Sequence, residues 1–310
     1  MELNSVRVPG KVMLSGEYAV LHGGTAVLIP VPRYLTLSET EAPPAHPHSP
    51  VINAALAEPI AEIADFEARH PLSGMEVDRR EFVTQAGGAI SKLGLGSSAA
   101  EAVGVIALRL ERMGIPYVEN RSLVAELAMR AHNRAQGGAG SGADVAVIAY
   151  GEPILFRRYG EEVTITTVEQ EKREILPPLA LLWSGIAANT RRLVAQFEQW
   201  CGTADRAEGY LAELIRVGDR VAETWFSGDS TSLFGLLEEY DQQMSRCMGA
   251  AKIEWKTPLH REIGDWAKRH GGHSKPTGAG AGDMILTVGT LPYGERSELR
   301  IDLSQPLLHM

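Results

Sequence analysis

The sequence predicts an α+β fold of two subdomains. Strand-like runs of Val, Ile, Leu, Tyr and Thr gather before residue 40 and again between 145 and 183, whereas the last third has helical periodicity. The two kinds of segment do not alternate in the regular βαβ manner of a doubly wound sheet. At 310 residues the chain has room for one large domain or two modest ones, and a soft boundary falls near Leu176.

Val6 to Leu14 and Ala26 to Ser38 read as strands between turn residues, with Pro30 and Pro32 making the second irregular or an edge strand. The Pro-rich stretch from Ala42 to Pro50 reads as a loop, and His46 and His48 within it as solvent-exposed turn residues rather than a metal pair. Glu101 to Met113 is predicted helical because Val103, Ile106, Ala107 and Leu110 share one face. Asn120 to Arg134 is a second helix, with Asn120 or Ser122 as its cap and the glycine run from Gly137 as its stop. Strands are expected at Val145 to Ala149, Ile154 to Arg157, Val163 to Val168 and Leu179 to Trp183, with the charged run Glu169 to Glu174 as a solvated connection. Helices follow at Thr190 to Trp200, Ala204 to Phe226, Thr231 to Met248 and Pro258 to Arg269, then a glycine loop and the strand Met284 to Val288.

Composition narrows the function. Hydrophobic residues at 44% and charged residues at 22% are ordinary for a globular protein and exclude a disordered chain. Thirty Lys and Arg against 39 Asp and Glu leave a net charge of −9, the wrong sign for nonspecific nucleic-acid binding. Cys201 and Cys247 lie in no metal-ligand or disulfide pattern, and both read as plain thiols. No apolar stretch reaches the roughly 18 residues of a membrane span, and the N-terminal segment lacks the plan of a signal peptide. A cytoplasmic protein without a membrane partner is the expectation.

Three glycine loops carry the chemistry. Lys92-Leu-Gly-Leu-Gly-Ser-Ser-Ala-Ala100 leads into the predicted helix from Glu101, so first-turn amides and the flexible backbone of Gly94 and Gly96 can surround a phosphate. It is not a Walker A loop. Gly94, Gly96 and Ala99 formally match a dinucleotide fingerprint, but the segment before them is a poor buried strand and Glu111 lies within the helix. The second loop, Gly137 to Gly142, delivers Ser141 and Asp144 to the start of an expected strand. Alone, that Asp reads first as a turn former. The third is Lys275-Pro-Thr-Gly-Ala-Gly-Ala-Gly-Asp283. A fixed cation, Lys11, stands in the N-terminal segment Pro9 to Gly24.

These segments, in this order, resemble the motifs of the GHMP kinase superfamily and span residues 9 to 283. Within it the chain most resembles the phosphomevalonate kinases, through Gly16-Glu-Tyr-Ala-Val-Leu21 and the central run from Ala131 to Gly151, where Asn133 stands in place of the magnesium-binding Glu usual in mevalonate kinases. The resemblance implies a two-subdomain fold, a ribosomal S5 domain 2-like N-terminal part over 1–175 and a ferredoxin-like C-terminal part over 176–310. It implies an ATP- and Mg²⁺-dependent enzyme with Lys11 and Asp144 at the reacting centre. Lys92, Gly94, Leu95, Gly96, Ser97, Ser98 and Ala99 would meet the nucleotide, with Ser98 on Mg²⁺. Glu17, Tyr18, Ser141, Thr190, Arg191, Gly278, Gly280 and Ala281 would meet the small-molecule acceptor. Ser184 to Val194 corresponds to the acceptor-side segment, where Ala187-Ala-Asn-Thr190 departs from the family's PAST. Arg191, Arg192, Arg33 and Lys275 are candidates for an acceptor phosphate. The implied reaction converts 5-phosphomevalonate to 5-diphosphomevalonate. The alternatives are an alcohol acceptor, as in mevalonate kinase, and a catalytically silent ligand-binding protein.

Overall fold

The computed structural model describes residues 4–44, 46–86, 88–138, 140–167, 177–294 and 300–303. Its strands are β1 (Ser5–Ser15), β2 (Ala26–Thr40), β3 (Gly74–Asp78), β4 (Val83–Ala86), β5 (Ala89–Lys92), β6 (Ile154–Tyr159), β7 (Glu162–Thr167), β8 (Leu179–Trp183), β9 (His273–Pro276), β10 (Met284–Val288) and β11 (Arg300–Asp302). The α-helices are α1 (Pro50–Leu56), α2 (Ala64–Arg69), α3 (Ser97–Glu111), α4 (Arg121–Ala135), α5 (Ala143–Tyr150), α6 (Thr190–Thr203), α7 (Ala207–Ser227), α8 (Ser230–Ala250) and α9 (Pro258–Arg269).

The first sheet is antiparallel in the order β1-β2-β6-β7, with β3 also on β2. One edge of β2 pairs with β1, and the other pairs with β6 through Ala26–Leu28 and with β3 through Thr36–Thr40. This strand is therefore internal, and of the two readings its prolines allowed, the irregular one holds and the edge does not. Pro32 falls where the β1 register breaks, since Pro9 faces Tyr34 while Gly10 faces Val31, so its missing N–H lies at an irregularity; Pro30 faces Lys11 within the ladder.

Helix α3 lies on this sheet and is buried from Ala99 to Leu110, touching β1, β2, α4 and α5. Its Gly104 has no room for a methyl group, since a Cβ there would meet Leu37 Cδ1 at 2.1 Å. Total burial requires its charged residues to be satisfied. Glu101 accepts from Ser49 Oγ and Arg79 Nε, while Arg109 holds Glu67 and the carbonyls of Ala55 and Glu58.

The second sheet is antiparallel in the order β11-β8-β10-β9. Ile263 and Trp266 of α9 pack there with Leu182, Ile285 and Leu291. The α7–α8 pair reaches the β1–β2 connection, where Asp219 Oδ1 accepts from Thr25 N at 2.9 Å and Tyr240 OH accepts from Gly16 N at 2.9 Å.

Several local expectations change. Val145 to Ala149 is helical, within α5, and its five side chains are all fully buried. An apolar run buried on every side has no amphipathic period, so strand and helix look alike in sequence; glycines in the left-handed region at 142 and 151 bound the helix. Helix α3 begins at Ser97 instead of Glu101. Asn120 occupies the N-cap position of α4 but its side chain donates to Pro116 O, and Ser122 lies inside the helix. Helices α1 and α2, strands β3, β9 and β11, and the β4–β5 hairpin were not foreseen. His46 is exposed and His48 partly so, and no cluster of three or more metal-ligating side chains exists among the described residues. The charged run 169–174 and the boundary near Leu176 lie outside the described residues.

Candidate active site

A cleft of about 670 Å³ opens where the glycine loops meet, a size suited to a small-molecule site. Its floor is the phosphate-type loop. Gly96, in the left-handed region with φ 83°, is the N-cap of α3 and offers no side-chain cap, so the amides of the helix's first turn are left for another acceptor. The helix therefore starts inside the motif, and Ser97, Ser98 and Ala99 are its first turn.

Leu95 joins this loop to β1, because its carbonyl accepts from Lys11 N at 3.0 Å. The glycines on either side each admit one charged side chain. A Cβ on Gly96 would fall 2.9 Å from Lys11 Cγ, and one on Gly94 would fall 2.4 Å from Asp283 Cγ. Lys11 Nζ reaches Asp144 Oδ2 at 3.3 Å. The lysine side chain is 11% exposed and the carboxylate 41%, so the cation is held from behind while the acid faces the cleft. Asp144 arrives from the first turn of α5, where negative charge suits the helix dipole.

Ser98 Oγ lies 2.6 Å from His132 Nε2 and accepts from Gln136 Nε2 at 3.1 Å. Burial lowers the His132 pKa and the charge of Arg191 lowers it further, against the opposing pull of Asp144 and Glu101. His132 and Gln136 project together because they are four residues apart on α4.

The third glycine loop closes the other side. Tyr18, with φ 59°, sends its hydroxyl to Ala279 O at 2.8 Å. Beneath it, Lys275 Nζ and Glu17 Oε1 are 2.5 Å apart, with side chains 0% and 1% exposed. Glu17 Oε2 has no hydrogen-bond partner.

Residues 70–152, which contain the phosphate-type loop, α3, α4 and α5, match the family model of the GHMP kinases N terminal domain. Over those residues the chain resembles a GHMP kinase N-terminal domain. It is 27% identical to a phosphomevalonate kinase of Streptomyces sp. (strain CL190), an alignment covering 90% of this chain and 88% of that protein. The solved Streptococcus pneumoniae phosphomevalonate kinase in complex with phosphomevalonate and AMPPNP superposes with a TM-score of 0.72 at 18% identity, over 95% of this chain and 94% of the other. The solved L. major mevalonate kinase in complex with R-mevalonate gives a TM-score of 0.68 at 16% identity, over 98% of this chain and 97% of the other. The two-sheet α+β architecture is thus the two-subdomain fold of GHMP kinases.

Around the cleft of this GHMP kinase fold stand Lys11, Glu17, Tyr18, Lys92, the loop from Gly94 to Ala99, Ser141, Asp144, Thr190, Arg191 and Gly278. Other expected residues are not among those lining it. Gly280 is packed so that a Cβ would meet Trp255 Cε3 at 2.2 Å, and Ala281 N donates to Trp255 O. Lys275 is buried on Glu17 and unavailable to an acceptor phosphate. Arg33 and Arg192 are exposed away from the lining residues. Glu17 does line the cleft, but its carboxylate is committed to Lys275. His132, Gln136 and Asp283 also line it and were not singled out from sequence. The i, i+4 spacing of His132 and Gln136 was an available signal; Asp283 offered only its place after a glycine run.

Proposed function

We propose that the protein is an ATP-dependent kinase that phosphorylates 5-phosphomevalonate to 5-diphosphomevalonate. The observation that carries this reading is the charge arrangement of the cleft: in a chain of net charge −9, Lys11, Lys92 and Arg191 line it beside an uncapped helix N-terminus, and of its three acids Glu17 is paired with Lys275 and Asp144 with Lys11, leaving Asp283. Two polyanionic substrates need such a local concentration of cations and amides. The phosphomevalonate kinase relatives supply the acceptor.

In this reading the amides of Ser97 to Ala99 cradle the nucleotide's phosphates, and Lys92 approaches from the end of the β4–β5 hairpin. Lys11 stabilises charge on the transferred group, and Asp144 orients Lys11. Arg191, at the start of α6, meets the acceptor phosphate with its guanidinium fork. Ser98 and Asp144 would hold Mg²⁺. One hydroxyl and one half-exposed carboxylate fit a hard cation that keeps waters and takes phosphate oxygens as ligands. That ion would neutralise negative charge on the phosphates. Positioning and electrostatics suffice, because phosphoryl transfer asks little covalent chemistry of the protein.

An alcohol acceptor is the second reading, favoured by the contact between Asp144 and Lys11, which would equally serve a base that takes a hydroxyl proton. A phosphate monoester, with a second pKa near ~6, is already mostly ionised at neutral pH and gains little from such a base. The test is kcat/KM with ATP over a panel containing 5-phosphomevalonate and mevalonate, for the wild type and Asp144→Asn. The expected result is preference for the phosphorylated acceptor, with activity rising between about pH 5 and 7 in both proteins and only its amplitude reduced in the variant. Preference for mevalonate, or loss of that pH dependence in Asp144→Asn, would return the assignment to an alcohol kinase.

A further inference from the structure

Asp283 ends the third glycine loop, and the chemistry above gives it no task. Its backbone is stitched to the acceptor-side turn: its N–H donates to Ile186 O at 2.7 Å, and its carbonyl accepts from Ser184 N at 2.8 Å. Its side chain adds a third tie, with Oδ1 accepting from Ala188 N at 2.9 Å. The other flank of the carboxyl rests on Gly94 of the phosphate-type loop, where even a methyl group would collide with it. The residue has φ 54°, a conformation that a residue other than glycine keeps only when its surroundings over-determine it.

A carboxylate on the wall of a cleft built for phosphates is electrostatically costly unless a cation shares it. Burial raises the Asp283 pKa, while the Ala188 N–H and the charge of Lys11 hold it down. Lys11 therefore pairs with one acid, Asp144 at 3.3 Å, and a second, Asp283, lies in the same cleft and feels its charge. The turn fixed by Asp283 runs directly into Thr190 and Arg191 at the start of α6.

We propose that Asp283 is a positioning residue for the phosphoryl transfer, clamping the acceptor-side turn 184–189 onto the phosphate-type loop and adding its charge, across the cleft wall, to that of the Asp144 carboxylate paired with Lys11. The clamp explains why Gly94 must be glycine, and the charge facing the Lys11–Asp144 pair explains why an acid rather than an amide ends the loop. It rests on the kinase reading given above but not on the identity of the acceptor.

The two tasks separate by substitution. Asp283→Asn keeps an oxygen for the Ala188 N–H and removes the charge; Asp283→Ala removes both. Both variants and the wild type are compared for kcat, acceptor KM, ATP KM, melting temperature and calorimetric acceptor affinity, using whichever panel acceptor the wild type turns over best. In Asp283→Asn, kcat should fall about tenfold with acceptor KM within about threefold of wild type. In Asp283→Ala, acceptor KM and Kd should also rise about tenfold, with ATP KM changed by less than about threefold. Wild-type kcat in Asp283→Asn would overturn the role of the charge, and unchanged acceptor affinity in Asp283→Ala would overturn the clamp. Should the Ala variant fail to fold, the near-isosteric Asn variant still decides, because a purely structural carboxyl would leave kcat of the folded enzyme intact. A wild type that ignores 5-phosphomevalonate but uses another acceptor refutes the substrate reading alone, and the same comparison then tests Asp283 on that acceptor.

Discussion

Lys11 crosses the face of Gly96 so closely that a Cβ on the glycine would sit 2.9 Å from Lys11 Cγ and 3.0 Å from Cε. The position of the cation therefore depends on an absent side chain. Lys11→Ala should lower kcat by about 10²- to 10³-fold, the scale for removing one preorganised stabilising group. Gly96→Ala, which also strains a left-handed backbone, should lower kcat with Lys11 still present. The double variant should be little worse than Lys11→Ala, because both substitutions remove the same interaction. Additive losses in steady-state kinetics would mean that Gly96 acts independently of Lys11.

Ser98 turns its hydroxyl toward His132 and Gln136 at the first turn of α3. Ser98→Ala should lower turnover by about 10²-fold, equivalent to about 2.7 kcal/mol of barrier, and should raise the Mg²⁺ concentration needed for half-maximal rate. Unchanged kinetics in the folded variant would reduce the segment to a helix start without a catalytic hydroxyl.

The α+β class and the three glycine loops were legible because their signals are local: glycine runs, proline breaks and helical periodicity in α6 to α9. What stayed hidden depends on tertiary context. Val145 to Ala149 is buried on every side and so lacks the period that distinguishes a helix. Lys275 looks like a free cation until β9 turns it inward onto Glu17, more than 250 residues away in sequence. Asp283 and Gly94 meet only through the fold. The motifs marked where the cleft would be, but not which charges within it were already paired.

The buried Lys275–Glu17 pair makes a prediction opposite to that for a phosphate ligand. Lys275→Met should destabilise the protein by about 3–5 kcal/mol, because it strands a buried carboxylate, and Glu17→Gln with Lys275→Met should recover much of that loss. Urea unfolding measures both. A stable Lys275→Met protein with a weakened, more salt-sensitive acceptor KM would instead make Lys275 a substrate ligand.

His260 gives the fold an acid limit. Its ring is buried, with Nδ1 beside Thr257 Oγ1 at 2.7 Å in a capping box, and burial first, then Lys256, lowers its pKa from 6.5 to about 4. Between those values the unfolded chain takes up a proton that the folded chain refuses, so stability should fall as pH drops from about 6.5 to 4, by about 3 kcal/mol from this residue. His260→Gln keeps a capping-box side chain that does not titrate and should flatten that slope in urea midpoints measured at pH 7 and pH 4. An unchanged slope would assign the acid sensitivity to other groups, such as the partly buried His273, whose pKa is also lowered.

The central claim, that the phosphoryl group passes to a phosphate oxygen of the acceptor, is tested most directly by ³¹P NMR of the product formed from ATP and 5-phosphomevalonate. The account predicts two new mutually coupled signals, the mark of a P–O–P linkage, growing as ATP is converted to ADP. Two uncoupled monoester signals, showing transfer to a hydroxyl of the acceptor, would contradict it, as would ATP consumption that occurs only with unphosphorylated alcohols.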